Sequence, residues 1–536
     1  MAGEVSIPGS DERISHRTGR FGHWPGRGSG WATSLSRDVV AGVSVAFVLV
    51  PQSLAYAQLA GLPAEHGLYS AAFAPIAAAV IASSPYLQTG PTAITSLLVL
   101  GAVSAHAPAG TAEFAQLAAV LAVLVGGWRL LLGFVRGGPL AYLLSQPVLL
   151  GFTAATGLLI ISSQLPAVLG TSAADGNPLL GAVAVISEPA SWHWGAVLFA
   201  LAAVAVMLLG RRISPLFPAV LLISIIAIVV SAIAGFTGPT VGRLPAGLPE
   251  FTLFLPWDKV PALLVPSLII ALVGFAEPSA IARRYAAADR HNWDPNREMI
   301  SQGMANVAAG LGGGYAVGGS FSRTALNRLA GARTRLSGAV SGVAALAFLP
   351  LTGLFESLPT AVLGAIVIVA VAPLVHPRSM WNLWTFTRPQ AVVGLLTFVL
   401  TLALAPRVER AVLLGIGLAV AVHLWRELHI TVPHWTEGDT LHLRPRGVLY
   451  FASAPALEET FTRLLAEHVD AQALVVHCEG LGRVDLTGAL ALKAVLDDAA
   501  AAGIETELRD VPPQAQAVIS RVLQPPPSPG RLRRSS

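Results

Sequence analysis

Residues 39–112 read VVAGVSVAFVLVPQSLAYAQLAGLPAEHGLYSAAFAPIAAAVIASSPYLQTGPTAITSLLVLGAVSAHAPAGTA, and among them Glu65 is the only Asp, Glu, Lys or Arg. A bilayer core of ~30 Å needs ~20 apolar residues per helix. One such stretch fits a buried core helix as well as a membrane helix. Residues 140–174, 213–242, 260–276, 299–322 and 336–355 are free of all four charged types. A dozen or so apolar runs recur in series until about His429, which leaves a polytopic membrane protein as the reading.

Composition agrees. The chain has 536 residues, 54% of them hydrophobic and 12% charged, with a mean hydropathy of +0.65. A soluble domain carries roughly a quarter charged residues. A cytosolic enzyme is therefore excluded, and so is a disordered chain, which needs the reverse composition. The single cysteine, Cys478, excludes a disulfide scaffold and a Cys-rich metal or iron–sulfur site. A net charge of +4 is small for this length and does not suggest nucleic acid as a partner. There is no nucleophile–base set, HExxH or Walker loop, so no enzyme and no cofactor are expected.

The two ends differ from the middle. Residues 1–38 mix Gly, Ser, Arg and His with no apolar run, unlike a secretory signal, and read as a flexible cytoplasmic arm. The transport part then occupies 39–430. Beyond it polar residues return and strands alternate with helices. A strand is predicted over Leu441–Phe451 with a turn at Pro445–Gly447. A helix follows over Pro455–Val469, with Leu457, Phe461, Leu464 and Leu465 on one face. Then come strand Ala473–His477, helix Leu486–Ala502, strand Ile504–Arg509 and helix Pro512–Leu523. This spacing implies a small α/β domain over 436–523. The Pro/Arg/Ser-rich segment 524–536 reads as a disordered tail.

Arginines set the topology, because positive loops face the cytoplasm. Basic junctions occur near Arg136, Arg211–Arg212, Arg283–Arg297, Arg328–Arg335, Arg378–Arg388 and Arg426. Fourteen spans with the N-terminus inside place nearly all of them inside. Arg243, Lys259, Arg407 and Arg410 are the exceptions. An even count puts both termini in the cytoplasm.

The chain also resembles itself. Near position 85 an apolar stretch breaks at Ser84–Pro85, Gly90 and Pro91, and the short span TGPTAITSLLVL (89–100) follows. Near 315, GLGGGYAVGGS (310–320) precedes FSRTALNRLA (321–330). Paired broken segments in corresponding positions of two halves point to a transporter's binding site. A helix that starts inside the membrane aims unpaired N–H groups and a positive dipole end at the midplane, and two such ends make an anion site. Glycine-rich packing kinks are the alternative. Arg323 stands in the first turn of the second short span, where a cation is costly unless it meets a partner or a watery cavity. An anionic ligand would relieve that cost; an arginine snorkelling to the membrane surface is the alternative. Glu277 follows the apolar run VPALLVPSLIIALVGFA. Desolvation disfavours a charged carboxylate, which suits a proton carrier. The alternative is a structural partner for an arginine, Arg284 two helical turns on.

Several segments resemble a known family. The run RDVVAGVSVAFVLVPQSLAYAQLAGLPAEHGLYSA is similar to the opening of the SulP anion permeases, or sulfate permeases. EPSAIARRYA, NREMISQGMANVAAGLGGG and GGSFSRTALNRLAGARTRLSG are similar to their second half, and the C-terminal domain looks like a STAS domain. The resemblance runs collinearly over roughly residues 37–523. It implies an all-α membrane domain of fourteen spans, arranged as two inverted seven-helix repeats with core and gate subdomains, plus the cytoplasmic α/β STAS domain. It further implies a homodimer in the plasma membrane and secondary active transport of an inorganic or small organic anion. Sulfate, bicarbonate, chloride and dicarboxylates all suit the site.

The family's site lies between the third and tenth spans, with a Gln and an aromatic lent by the first. Those positions here are Gln52 and Tyr56; Gly90, Pro91, Thr92 and Ala93; and Phe321, Ser322, Arg323 and Thr324. The resemblance implies donors from the Gln52 amide, the Tyr56 hydroxyl and the backbone N–H groups of Thr92–Ala93 and Ser322–Arg323. Sodium-coupled bicarbonate members carry an Asp at the position of Glu277 and a hydroxyl four residues later. Ile281 stands there in this chain, so a proton-driven symporter with elevator-like alternating access is expected rather than a sodium-driven one. In the STAS loop, Arg483-Val484-Asp485-Leu486-Thr487-Gly488, Leu486 replaces the first serine of the Asp-Ser-Ser-Gly signature. Thr487 therefore reads as a helix-start hydroxyl near the N-cap Asp485. A nucleobase transporter of the same architecture and a channel-like or non-transporting anion-binding member are the competing readings. The arginine of SFSRTA speaks against the first of these.

Overall fold

The computed structural model describes residues 29–143, 145–172, 176–245, 247, 249, 255–428 and 430–523. In chain order the membrane part runs α1 (Ser29–Leu59), α2 (Glu65–Ile81), β1 (Thr89–Gly90), α3 (Ala93–Val103), α4 (Ala112–Phe134), α5 (Gln146–Leu169), α6 (Pro178–Ser187), α7 (Trp194–Ile213) and α8 (Ala219–Ala234). It continues with α9 (Val260–Ala288), α10 (Pro295–Leu311), β2 (Gly318–Gly319), α11 (Phe321–Leu329), α12 (Leu336–Phe348), α13 (Thr360–Val371), α14 (Pro377–Phe386), α15 (Arg388–Ala403) and α16 (Val408–Leu428). The helix α1 corrects one expectation: residues 29–38, read as arm, already belong to it, and Asp38 is fully buried. Its carboxylate accepts from the backbone N–H groups of Arg333 and Thr334 at 2.7 and 3.0 Å, tying the loop after α11 to α1. The rest of the expected arm, and the tail, lie outside the described residues.

Among the described residues eight helices are long and apolar enough to cross a membrane. Sixteen α-helices precede the α/β part among the described residues. Several of them are too short or too polar to cross unaided, α3 and α11 above all.

The chain divides into two compact units. Of the described residues, one holds those up to 143 together with those in 152–377 and 398–412; the other holds 145–151, 378–397 and those from 413 to 523. In the first, small residues let helices approach closely, as membrane packing requires. A Cβ at Gly67 on α2 would lie 1.9 Å from the Ser53 carbonyl oxygen on α1.

The second unit contains the C-terminal α/β fold. Its strands are β3 (His434–Glu437), β4 (Thr440–Leu443), β5 (Gly447–Leu449), β6 (Ala473–His477), β7 (Leu481–Val484) and β8 (Glu505–Arg509). Its helices are α17 (Ala454–Glu467), α18 (Leu486–Ala501) and α19 (Pro513–Leu523). The main sheet has the order β3-β4-β6-β8; β3 joins antiparallel and the other pairings are parallel. β5 and β7 form a separate parallel pair. The single strand expected over Leu441–Phe451 is thus two strands in two sheets. Leu441, Leu443, Leu474 and Val476 face a core completed by Phe461 of α17 and Leu492 of α18. On the opposite face Trp435 stacks on His442 and His477, at 5.0 and 5.2 Å between ring centroids. Asp485 caps α18, accepting from the Gly488 N–H at 2.7 Å.

Candidate functional site

Two half-length helices start face to face. β1 and β2 form a two-residue antiparallel bridge in which Thr89 pairs with Gly319 and Gly90 with Gly318. α3 leaves one strand and α11 the other, with 11 and 9 residues. At 1.5 Å per residue each covers about half of a ~30 Å bilayer core. Thr92 caps α3 by accepting from the Thr95 N–H at 3.4 Å, and Ser320 caps α11 by accepting from the Arg323 N–H at 3.5 Å. Both dipole ends therefore meet at the bridge.

Unwound backbone inside a membrane has no water to bond and must be satisfied by protein. Helix α10 does this with polar side chains one turn apart. Glu298 accepts from the Ser83 and Ser84 N–H groups at 3.0 and 2.8 Å. Gln302 donates to Thr89 Oγ1 at 2.7 Å. Asn306 accepts from the Val317 N–H at 2.9 Å and donates to its carbonyl at 3.2 Å. All three are fully buried.

Arg323 is 1% exposed. Its Nη1 donates to Gln52 Oε1 at 3.3 Å and its Nη2 to the Pro91 carbonyl at 2.7 Å, while Nε has no hydrogen-bond partner among the described residues. The structure thus brings Gln52 of α1, the 90–93 segment and Arg323 together. With Gln52 Oε1 engaged, that side chain offers its amide N–H groups. Tyr56 and Glu277 both lie within electrostatic reach of Arg323, and the Phe321 N–H donates to the Glu277 carboxylate. A Cβ at Gly90 would come 3.5 Å from Arg323 Nη2, so the strand runs close beside the guanidinium.

Three residues take different places from those expected. Thr324 is consumed by the scaffold: its hydroxyl donates to the Ser320 carbonyl at 2.6 Å and accepts from the Gln88 N–H at 3.0 Å. The Arg323 N–H is taken by the Ser320 hydroxyl. Arg284, a partner for Glu277 by spacing, lies instead over the Phe321 ring at 5.2 Å. Phe321 also stacks on Tyr285, at 6.4 Å between centroids, and together with Ser322 it is exposed.

Sequence reasoning missed Arg129 of α4. It is fully buried and donates to the carbonyls of Ala271, Val317 and Ile270 at 3.1, 3.1 and 3.3 Å. A signal exists, since a lone arginine interrupts the apolar run of Ala112–Phe134.

The sequence matches the sulfate permease family over residues 35–397 and the STAS domain over residues 435–522. The chain belongs to the sulfate permease family. A probable sulfate transporter of Mycobacterium tuberculosis is 35% identical over 409 residues, covering 75% of this chain and 71% of that protein. Probable sulfate transporter 4.2 of Arabidopsis thaliana is 32% identical over 425 residues, covering 77% of this chain but only 62% of the plant protein. The fold is that of the murine solute carrier 26 family member A9 anion transporter in its inward-facing state. That likeness has a TM-score of 0.82 at 20% identity, over 91% of this chain and 87% of that one. The sulfate permease fold thus comes with the STAS domain in one multi-pass membrane protein.

Proposed function

We propose that this protein is a secondary active transporter that moves a small anion across the plasma membrane in symport with protons. The observation that carries it is the buried Arg323, with an unpartnered Nε, at the meeting point of two half-helix N-termini. Partial positive charge from both helix starts and a full charge from Arg323 converge where, among the described residues, no carboxylate accepts a hydrogen bond from the guanidinium. A desolvated anion fits that field. Sulfate is the first candidate, because the relatives are named for it; bicarbonate, chloride and dicarboxylates are the others. Gln52, Tyr56, Gly90–Ala93 and Phe321–Arg323 form the cradle, and Thr324 fixes its frame.

Glu277 carries the coupled proton, since it shares Arg323 with the anion. Fourteen spans in two inverted repeats, core and gate subdomains, elevator-like movement, a homodimer and cytoplasmic termini complete the reading. The test is uptake of radiolabelled anions into proteoliposomes with and without an inward proton gradient. Gradient-driven accumulation is expected. Uptake that only equilibrates the anion would favour a channel-like member, and uptake of nucleobases instead would replace the anion reading.

A further inference from the structure

Arg129 does work that the anion site as described leaves unassigned. It is as deeply buried as Arg323, yet each of its three acceptors is a backbone carbonyl. No ion pair involves it among the described residues. A guanidinium does not shed its proton inside a protein, so a full positive charge sits in the core without a counter-charge. Such a charge is expensive unless something negative shares its surroundings.

Its position says what that is. Arg129 Nη1 holds the carbonyl of Val317, next to Gly318, and Gly318 pairs with Gly90 in the bridge. A Cβ at Gly274 would fall 2.6 Å from Arg129 Nη2, and a Cβ at Gly318 would fall 3.6 Å from the Gly274 carbonyl oxygen. Gly274 therefore lies between the guanidinium and Gly318 of the bridge, with the Thr95 methyl beside both glycines. Arg323 lies on the other side of the same bridge, its Nη2 3.5 Å from where a Gly90 Cβ would be.

We propose that Arg129 is a specificity-determining residue that acts through the bridge: a second fixed positive charge, not touching the anion, that tunes the site toward dianions over monoanions. This rests on the anion-transport reading above. The physical content is that Coulomb energy is linear in the ligand's charge. Removing a fixed charge that weakens a monoanion by some factor weakens a dianion by about the square of that factor. A unit charge acting across a few groups at an effective dielectric of ~20 gives about tenfold for chloride and about a hundredfold for sulfate. A clamp that merely held α4 to α9 would, when lost, weaken both anions by similar factors.

The experiment is equilibrium binding of labelled sulfate and labelled chloride to the full chain in nanodiscs, for wild type, Arg129→Gln and Arg129→Lys. The Gln variant is expected to lose about the square of its chloride loss for sulfate, and the Lys variant to keep the wild-type sulfate-to-chloride ratio. Arg129→Lys is the second route if the Gln variant does not fold. It keeps the charge but not the fork that spans three carbonyls, so the sulfate-to-chloride ratio should hold even where both affinities fall. Equal fold-losses for the two anions in Arg129→Gln, or a changed ratio in Arg129→Lys, overturn the proposal and leave anion transport standing. A wild-type chain that binds neither anion overturns both.

Discussion

On the proposed reading Arg323 and Glu277 divide the chemistry of the site between them, and substitution separates their parts. Arg323→Ala removes a charge-assisted donor worth ~1.5–3 kcal/mol, so anion affinity should fall roughly ten- to a hundredfold while the protein still inserts. Saturation binding in nanodiscs measures this, and unchanged affinity for every anion tested would remove Arg323 from the site. Glu277→Gln fixes the neutral form. The variant should still bind anion and exchange anion for anion, but lose accumulation under a proton gradient imposed without sodium. Full proton-driven accumulation would leave Glu277 a structural neighbour of Arg323. Both residues are legible in the sequence, because a charge inside an apolar run has few explanations. What they touch is not. Gln52 is 271 positions from Arg323, and periodicity reports only neighbours three or four apart. Arg284, two helical turns on from Glu277, shares its helix face by periodicity and still turns to Phe321. Thr324 looks like a ligand by its place in the motif, but its hydroxyl is committed to Ser320 and Gln88.

At the scale of elements, the half-helices exist because α10 and the bridge satisfy the backbone between them. Their presence can be read from Pro91 and from the glycines at 312–314 and 318–319, which interrupt otherwise helical text. Their face-to-face start cannot, because a two-residue antiparallel bridge between Thr89–Gly90 and Gly318–Gly319 leaves no local pattern. The polar ladder of α10 is visible as Glu298, Gln302 and Asn306 at four-residue spacing, yet its purpose emerges only with Ser83, Thr89 and Val317 beside it. Asn306→Leu tests it. Both Val317 backbone groups lose the Asn306 side chain at once. An unsatisfied buried polar group costs ~1–3 kcal/mol. The variant should melt several degrees lower in detergent and bind anion more weakly, although Asn306 is not among the cradle residues. Wild-type melting would show that another group takes over. In the C-terminal fold, the sequence defines Ala473–His477 to the residue because that strand is short, apolar and fully paired. It does not reveal β3 and β7: each is four residues long, and His434–Glu437 is mostly exposed and polar.

For the whole molecule, composition separates a membrane part from an α/β part, and the structure moves the border. The α/β core does not begin at 436. β3 starts at His434, and Ile430 and Val432 already pack against the core. A soluble fragment 430–523 should therefore unfold cooperatively at higher denaturant than 438–523, which loses β3 and leaves an edge of β4 unpaired. The full chain supplies its own probe, because Cys478 is its only cysteine and is fully buried in this core. Burial, helped by the nearby Asp510 carboxylate, pushes its thiol up to about 11 from 9.0. Only the thiolate attacks a maleimide, and a thiol raised that far holds about a hundredfold less thiolate near neutral pH, before access is counted. In nanodiscs the native chain should label far more slowly than a free thiol. Raising urea should release that protection in one step, at the midpoint of fragment 430–523 if the domain folds on its own. Protection that outlasts the fragment's midpoint by several molar urea would mean that the membrane part holds the domain together. Labelling of the native chain at the free-thiol rate would contradict the burial of Cys478 itself.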